Sequence, residues 1–339
     1  MSKRAFFIGG PGTLSASAIQ DLVERDYEVA VFSRSKHLNQ LPSRVCAYPG
    51  ERHQTDALKN AFDDFNPDIV LDFICFTPQE AEQIKGLVQG KVRQFIFVST
   101  VDVYGYPLSC LPISESDPWH PETQSQYAAD KRLCEEIFKS PGPAALPLTI
   151  ARPAYSFGPR FILSFTSRDY GIHMLRRLRD GRPILIPGDG TTLMHVSAAL
   201  NTGRMIASLV DAPQSINRDY TCGHPNFTTH AGYVEMFASA LGVQPNLVNI
   251  PTRTIVSHPD PEAGTCLLHA LTRFNVAFSI SRFLEEIPDF QWKVTLDEWA
   301  KAVVDWNLEH GLFDLPDDEI FDDRVIASWK NFMQDYRAF

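Results

Sequence analysis

The stretch Phe6-Phe7-Ile8-Gly9-Gly10-Pro11-Gly12-Thr13-Leu14-Ser15 decides how this chain is read. Apolar residues predict a buried strand, three glycines follow, and then Ile19, Leu22 and Val23 fall on one helical face. A strand that turns through glycines into a helix can cradle a pyrophosphate. The turn must be tight, the backbone must approach the anion with no Cβ in the way, and the helix N-terminus must aim its N–H groups at it. Gly9, Gly10 and Gly12 meet those needs, with Thr13 and Leu14 opening the helix. Ser15 stands where the usual fingerprint ends in glycine, a position that serves helix–strand packing and accepts a small residue.

An acidic residue that holds an adenosine ribose is expected about 20 residues on, at the end of the second strand. The chain there reads Val31-Phe32-Ser33-Arg34-Ser35-Lys36, with no carboxylate. A guanidinium at that place attracts a 2′-phosphate, so Ser33 and Arg34 lean the cofactor toward NADP, with NAD as the alternative.

Strand-like and helix-like segments alternate outward from this turn. Strands are expected at 5–8, 27–32, 45–48, 68–76, 94–99 and 148–151, and helices at 13–24, 55–65, 78–89 and 126–138. That alternation predicts an α/β protein with a Rossmann-type doubly wound parallel sheet. After Arg152-Pro153 the pattern loosens, with Pro and Gly clusters at 158–159, 181–183 and 187–190. Helices are expected at 170–180, 201–209, 230–241 and 296–310, and strands at 183–186 and 247–250. The division expected is a dinucleotide-binding domain over 1–155 that receives some later segments, a smaller mixed substrate lobe over 156–312, and a helical tail over 313–339 packing on the body or on a partner subunit.

Composition bounds the partners. With 31 Lys+Arg against 41 Asp+Glu among 339 residues the formal net charge is −10, which argues against a nucleic-acid binder. Apolar residues make up 44 %, ample for a core. Six scattered cysteines, with no C-x-x-C and no zinc spacing, read as buried free thiols in a reducing cytoplasm, and no metal site is expected. No apolar run approaches the roughly 20 residues that span a bilayer, and the first apolar run breaks at Gly9 too soon for a secretory segment.

The catalytic candidates lie in Ser125-Gln126-Tyr127-Ala128-Ala129-Asp130-Lys131, which puts Tyr127 and Lys131 one turn apart on a helix face. A phenol with an ordinary pKa of about 10 is a poor base at neutral pH. A nearby ammonium favours the phenolate, and the pair can then pass a proton to or from a carbinol oxygen. The helix follows a buried strand ending Ser99-Thr100-Val101-Asp102-Val103-Tyr104-Gly105.

On these motifs the chain resembles the extended short-chain dehydrogenase/reductase family, the NAD(P)-dependent sugar epimerase/dehydratase group. The pieces are the glycine turn, the strand before Val103-Tyr104-Gly105, Tyr127 and Lys131 with Glu135, Arg152-Pro153 before Gly158-Pro159, Pro187-Gly188-Asp189-Gly190, and Ile287-Pro288-Asp289-Phe290 leading to Trp306. They run in family order over residues 5–306. The resemblance implies that Tyr127 is the general acid/base, that Lys131 tunes it and holds the nicotinamide ribose, and that the Thr100 hydroxyl bonds the reacting oxygen. It places Asp102 where family dehydratases carry an elimination acid/base, against the plain reading of a capping aspartate. It implies a small-molecule substrate, a sugar or nucleotide-sugar-like secondary alcohol or ketone, and allows a homodimer.

The departures fall in the second half. Tyr155 stands where nucleotide-sugar binders carry Asn, Thr192-Leu193-Met194-His195-Val196 lacks their Arg or Trp, and Asn201-Thr202-Gly203 lacks their acid. Phe157, Phe161, Phe165, Tyr170 and Met174 make the stretch apolar, so a ketoreductase acting on a less polar metabolite is an alternative. Arg176, Arg177 and Arg179 read as a solvated helix face or a phosphate contact. A non-catalytic NAD(P)-binding regulator stands as the second alternative, against the retained Tyr/Lys pair.

Overall fold

A computed structural model describes residues 3–167, 171–314 and 319–337. The first half runs β1 (Arg4–Ile8), α1 (Ser15–Glu24), β2 (Glu28–Ser33), β3 (Cys46–Pro49), α2 (Thr55–Phe65), β4 (Ile69–Asp72), α3 (Pro78–Val88), β5 (Gln94–Val98), α4 (Gln126–Lys139) and β6 (Leu148–Pro153). The second runs β7 (Tyr155–Phe157), α5 (Gly171–Arg179), β8 (Pro183–Pro187), β9 (Leu193–Met194), β10 (Val196–Ala198), α6 (Ala199–Ser208), β11 (Arg218–Cys222), β12 (Thr228–Thr229), α7 (His230–Leu241), β13 (Asn246–Ile250), α8 (Thr252–Val256), α9 (Ser281–Glu286), α10 (Leu296–Glu309) and α11 (Phe321–Arg337).

Seven strands form one sheet in the order β11-β6-β5-β4-β1-β2-β3, and every pairing in it is parallel. Its strands are apolar at nearly every position because both faces are covered. Ala5 and Phe7 of β1 face α1 and α6, while Phe6 and Ile8 face the layer of α2, α3 and α4. The strand order reverses between β1 and β4, and ligands of such sheets bind outside the strand ends at that switch point.

The expected strand at 68–76 is shorter, ending at Asp72. The Asp72 carboxylate accepts the Ile74 N–H at 3.0 Å and bends the chain out of the sheet. The apolar run that follows therefore lines the switch-point crevice instead of extending β4.

Later segments return to the sheet. β11 adds its edge strand beside β6, and α6 lies against α1 so closely that a Cβ on Gly203 would fall 2.2 Å from the Leu14 carbonyl oxygen. The stretch 201–203 is thus a packing seam: Asn201 bonds the backbone at Lys293 and Val294, and the Thr202 hydroxyl bonds those of Ser156 and Ser197. The remaining strands pair as β8 with β13, β7 with β10 and β9 with β12, under α5, α7 and α10. α11 lays Phe321, Val325 and Ile326 on Leu185 and Ile250. Tyr170 of the expected helix at 170–180 and residues 315–318 and 338–339 of the expected tail lie outside the described residues.

Candidate active site

Gly9 has φ +90°, and a Cβ there would sit 2.6 Å from Ile74 Cγ2, so no other residue lets β1 pass this close to the β4 exit. Ser15 does more than pack: its hydroxyl accepts the Gly12 N–H at 2.8 Å. The turn, with Thr13 and Leu14, forms one wall of a crevice of about 220 Å³. Ile74 and Phe76 close it from the β4 exit, and Val98, Ser99, Tyr127 and Lys131 form the facing wall. Ser33 ends β2 half-buried, and the Arg34 side chain is exposed.

Ser125 starts α4 by accepting the Ala128 N–H at 3.2 Å, which sets the phase that turns Tyr127 and Lys131 to the crevice. Tyr127 is half-buried, its ring 6.3 Å from that of Phe76. Lys131 is 1 % exposed, and burial pulls its ammonium below the ordinary lysine range. Its Nζ donates to the carbonyls of Cys75 at 2.8 Å and Val98 at 2.7 Å, and rests 4.5 Å from the Phe97 ring centroid. An ammonium has three N–H donors, so these bonds leave one. Thr100 is buried; its hydroxyl accepts the Asp102 N–H at 3.2 Å and caps the turn Val101–Tyr104, while its neighbour Ser99 lines the crevice.

A buried ion cluster fixes α4 on the sheet. Arg152 of β6 donates to Glu135 through Nε at 2.9 Å and Nη2 at 2.7 Å, meets Asp219 at 2.7 Å, and donates to the Tyr104 hydroxyl at 3.2 Å. Burial alone would raise the Glu135 carboxyl, but the Arg152 charge outweighs it and holds the group below its usual range. Glu135 stands one turn beyond Lys131, so this pair sets where the crevice wall stands.

Asp102 is no simple solvent-facing cap. It is buried, and its Oδ1 accepts the Tyr106 hydroxyl at 2.7 Å and lies 3.4 Å from that of Tyr155; the two phenol oxygens are 2.6 Å apart. Burial and the Asp102 charge push both phenols well above their ordinary pKa. Phe274 stacks on Tyr106 at 5.7 Å and Phe278 stands edge-on to Tyr155 at 6.2 Å. Tyr155 is marked in the sequence only as a departure, and Tyr106 carries no signal there: Asp102 lies four residues before it, but Tyr155 and Phe274, which complete the cluster, are distant along the chain.

Other residues resolve plainly. His195 is fully buried: its Nδ1 accepts the Phe278 N–H at 3.0 Å, so Nε2 carries the proton and donates to the His224 carbonyl at 2.6 Å. Arg176 and Arg177 are buried rather than solvated, bonding the Leu312 carbonyl and Asp323. All six cysteines are free; four are buried as expected, but Cys46 and Cys110 are exposed, Cys46 because it lies on β3 at the edge of the sheet. Among the described residues no helix is long and apolar enough to cross a membrane, and no His, Cys, Asp or Glu group could hold a metal ion.

A parallel sheet with a glycine turn at its switch point, faced by a buried lysine and a tyrosine one turn apart, defines an NAD(P)-dependent enzyme of the extended short-chain dehydrogenase/reductase class. The chain belongs to the NAD dependent epimerase/dehydratase family, whose profile matches residues 5–223. Solved structures agree on the fold. The epimerase Mth375 of Methanothermobacter thermautotrophicus is similar at TM-score 0.73 and 17 % identity, over 92 % of this chain and 94 % of that one. The dTDP-glucose 4,6-dehydratase of Bacillus anthracis, in complex with NAD, is similar at 0.71 and 16 %, over 92 % and 98 %. The UDP-glucose 4-epimerase of Thermotoga maritima, with UDP-glucose, is similar at 0.69 and 18 %, over 91 % and 99 %. No curated protein matches the sequence significantly.

Proposed function

We propose that the enzyme moves a hydride between a nicotinamide cofactor and a secondary alcohol or ketone of a sugar or nucleotide-sugar-like substrate, with Tyr127 as general acid/base. The observation that carries this reading is the Lys131 ammonium, fixed on two carbonyls with one donor left at the crevice that Tyr127 also lines. That donor suits a ribose hydroxyl, and its charge favours the Tyr127 phenolate. Gly9, Gly10, Gly12, Thr13 and Leu14 would hold the pyrophosphate. The crevice is smaller than the 300–1,000 Å³ of sites that enclose a drug-sized molecule, so it would take the nicotinamide half, with the adenosine half over the surface toward Ser33 and Arg34. Arg34 would pair with a 2′-phosphate, which favours NADP over NAD.

The bound cofactor supplies a hydride acceptor or donor at nicotinamide C4. Tyr127 takes the hydroxyl proton as an alcohol is oxidised and returns one to the oxygen as a ketone is reduced. The Thr100 hydroxyl, whose acceptor bond to Asp102 leaves its proton unspent, would donate to the same oxygen. The cut near residue 155 then separates a cofactor domain from a substrate lobe, and the free thiols suit a cytoplasmic enzyme, possible as a homodimer.

A panel of keto-sugars and sugar alcohols, followed by nicotinamide absorbance, tests the reading. Tyr127→Phe is expected to bind NADPH like the parent and to lose roughly 10²–10⁴-fold in kcat. Full turnover by that variant would remove Tyr127 from the chemistry, and net NADPH oxidation would exclude a pure epimerase. A less polar ketone is the second reading, favoured by the aromatic surround of Tyr106, Tyr155, Phe274 and Phe278. Turnover of apolar ketones with none of sugars would select it.

A further inference from the structure

On the other side of the glycine turn lies a second hollow, a groove of about 610 Å³ between α1, α6 and the segment 293–306. It shares Gly12 and Thr13 with the crevice but is lined by neither Tyr127 nor Lys131. Its volume falls within the range of small-molecule sites. We propose that this groove is a separate binding site for a flat aromatic anion, held by stacking on tryptophan and by paired cations.

Two tryptophans, Trp299 and Trp306, form part of its wall and are only half-buried. The Trp299 indole N–H donates to the Phe157 carbonyl at 2.7 Å, so that polar edge is already satisfied inward. Trp306 is braced by His310, stacked at 3.9 Å. Two fixed indoles in one groove offer a large apolar contact at little loss of side-chain freedom, which is how tryptophan serves binding surfaces.

The charges select an anion. Arg160 stands at the groove with its guanidinium 5.9 Å from the Trp306 centroid, and it bonds the neutral Gln40 side chain at 2.6 Å with no carboxylate beside it among the described residues. The Lys293 ammonium has no ion pair or hydrogen bond among the described residues. Arg204 differs, since Asp21 at 2.8 Å and Glu24 at 3.9 Å compensate it. Two uncompensated cations beside two indoles, on a chain of net charge −10, make a local positive hollow. A planar ring against the indoles with its acid group between Arg160 and Lys293 answers both features.

The test uses the full-length protein saturated with NADPH and two fluorescent probes: the sulfonate 8-anilinonaphthalene-1-sulfonate and its uncharged analogue N-phenyl-1-naphthylamine. The sulfonate is expected to bind at one site and to persist at saturating NADPH. In a double variant carrying Arg160→Gln and Lys293→Gln it weakens about tenfold or more, while the neutral probe changes little. Trp306→Phe is expected to lower energy transfer from tryptophan to the probe, and thermal melts establish that the variants are folded. Displacement of the sulfonate by NADPH, unchanged affinity in the double variant, or no saturable binding in the millimolar range would each overturn the proposal. None of these outcomes bears on Tyr127, so the catalytic reading stands or falls by its own experiment.

Discussion

The sheet half and the later half of the chain bury polar groups in different proportions. Under the crevice the sheet half uses ion pairs: Arg152 between Glu135 and Asp219, and Arg52 against Asp72 at 3.0 Å, where burial outweighs Arg52 and raises the Asp72 carboxyl. The later half buries an ion pair too, Arg177 with Asp323, but adds groups that stay neutral near pH 7, the imidazoles of His195 and His230. The difference teaches where each half yields. The Arg152–Glu135 pair, with its carboxyl held low, tolerates ordinary changes of pH but not the loss of a partner. Buried neutral imidazoles tolerate neither burial of a new charge nor acid.

The largest effect expected follows from breaking the ion pair. Arg152→Met leaves the buried Glu135 with only the half-exposed Lys139 at 3.3 Å as a cation partner and is expected to cost about 3–5 kcal/mol in denaturant unfolding. A cost below about 1 kcal/mol would mean that α4 is held by packing alone, and the contrast between the halves would fail. Because Glu135 titrates below its ordinary value of 4.5, its contribution is present above that pH and is lost only as pH falls further, through its folded-state pKa.

Acid should find the lobe first. Burial pulls His195 and His230 from 6.5 down to about 4, so each contributes stability that is full above pH 6.5 and drains between 6.5 and 4. By pH 5 that amounts to about 2 kcal/mol per imidazole. A proton added to His195 Nδ1 would face the Phe278 N–H it now accepts. Asp322, raised by burial to about 6, works against this and returns part of the loss on acidification. Hydrogen exchange at pH 7.5 and pH 5 should therefore show the segments around His195 and His230 opening before the sheet strands. His195→Gln should flatten the pH slope, and an unchanged slope would assign it elsewhere.

The smallest effect concerns Arg34, on the exposed rim of the sheet half. NADPH is expected to protect against heat more than NADH, and Arg34→Ala should erase a difference of about 1 kcal/mol. Equal protection of the parent by both cofactors would remove the lean toward the 2′-phosphate.

How much could be read in advance differs between these halves for the same reason. The parallel sheet, its glycine turn and the Tyr127/Lys131 pair are local patterns: continuous apolar strands, glycines at a strand exit, two residues at helical spacing. Even there the strand expected at 68–76 ended early, because Asp72 bends the chain by a bond that hydropathy does not register. The run Arg176, Arg177, Arg179 reads as solvated from its charge, yet α11 arrives from about 145 residues away with Asp323 and buries Arg177.

The sequence by itself determined the class of fold, the cradle and the two side chains facing it, since strand alternation, glycine geometry and an i, i+4 spacing are settled within a few residues. Only the tertiary structure decided that Lys131 spends two donors on carbonyls, that Asp102 belongs to a pair of phenols, and that tryptophans and unpaired cations meet beside α1. Those outcomes depend on which distant segments share a space. Hydrogen bonds and charges act over a few ångströms, and the chain brings them together only after the layers have packed.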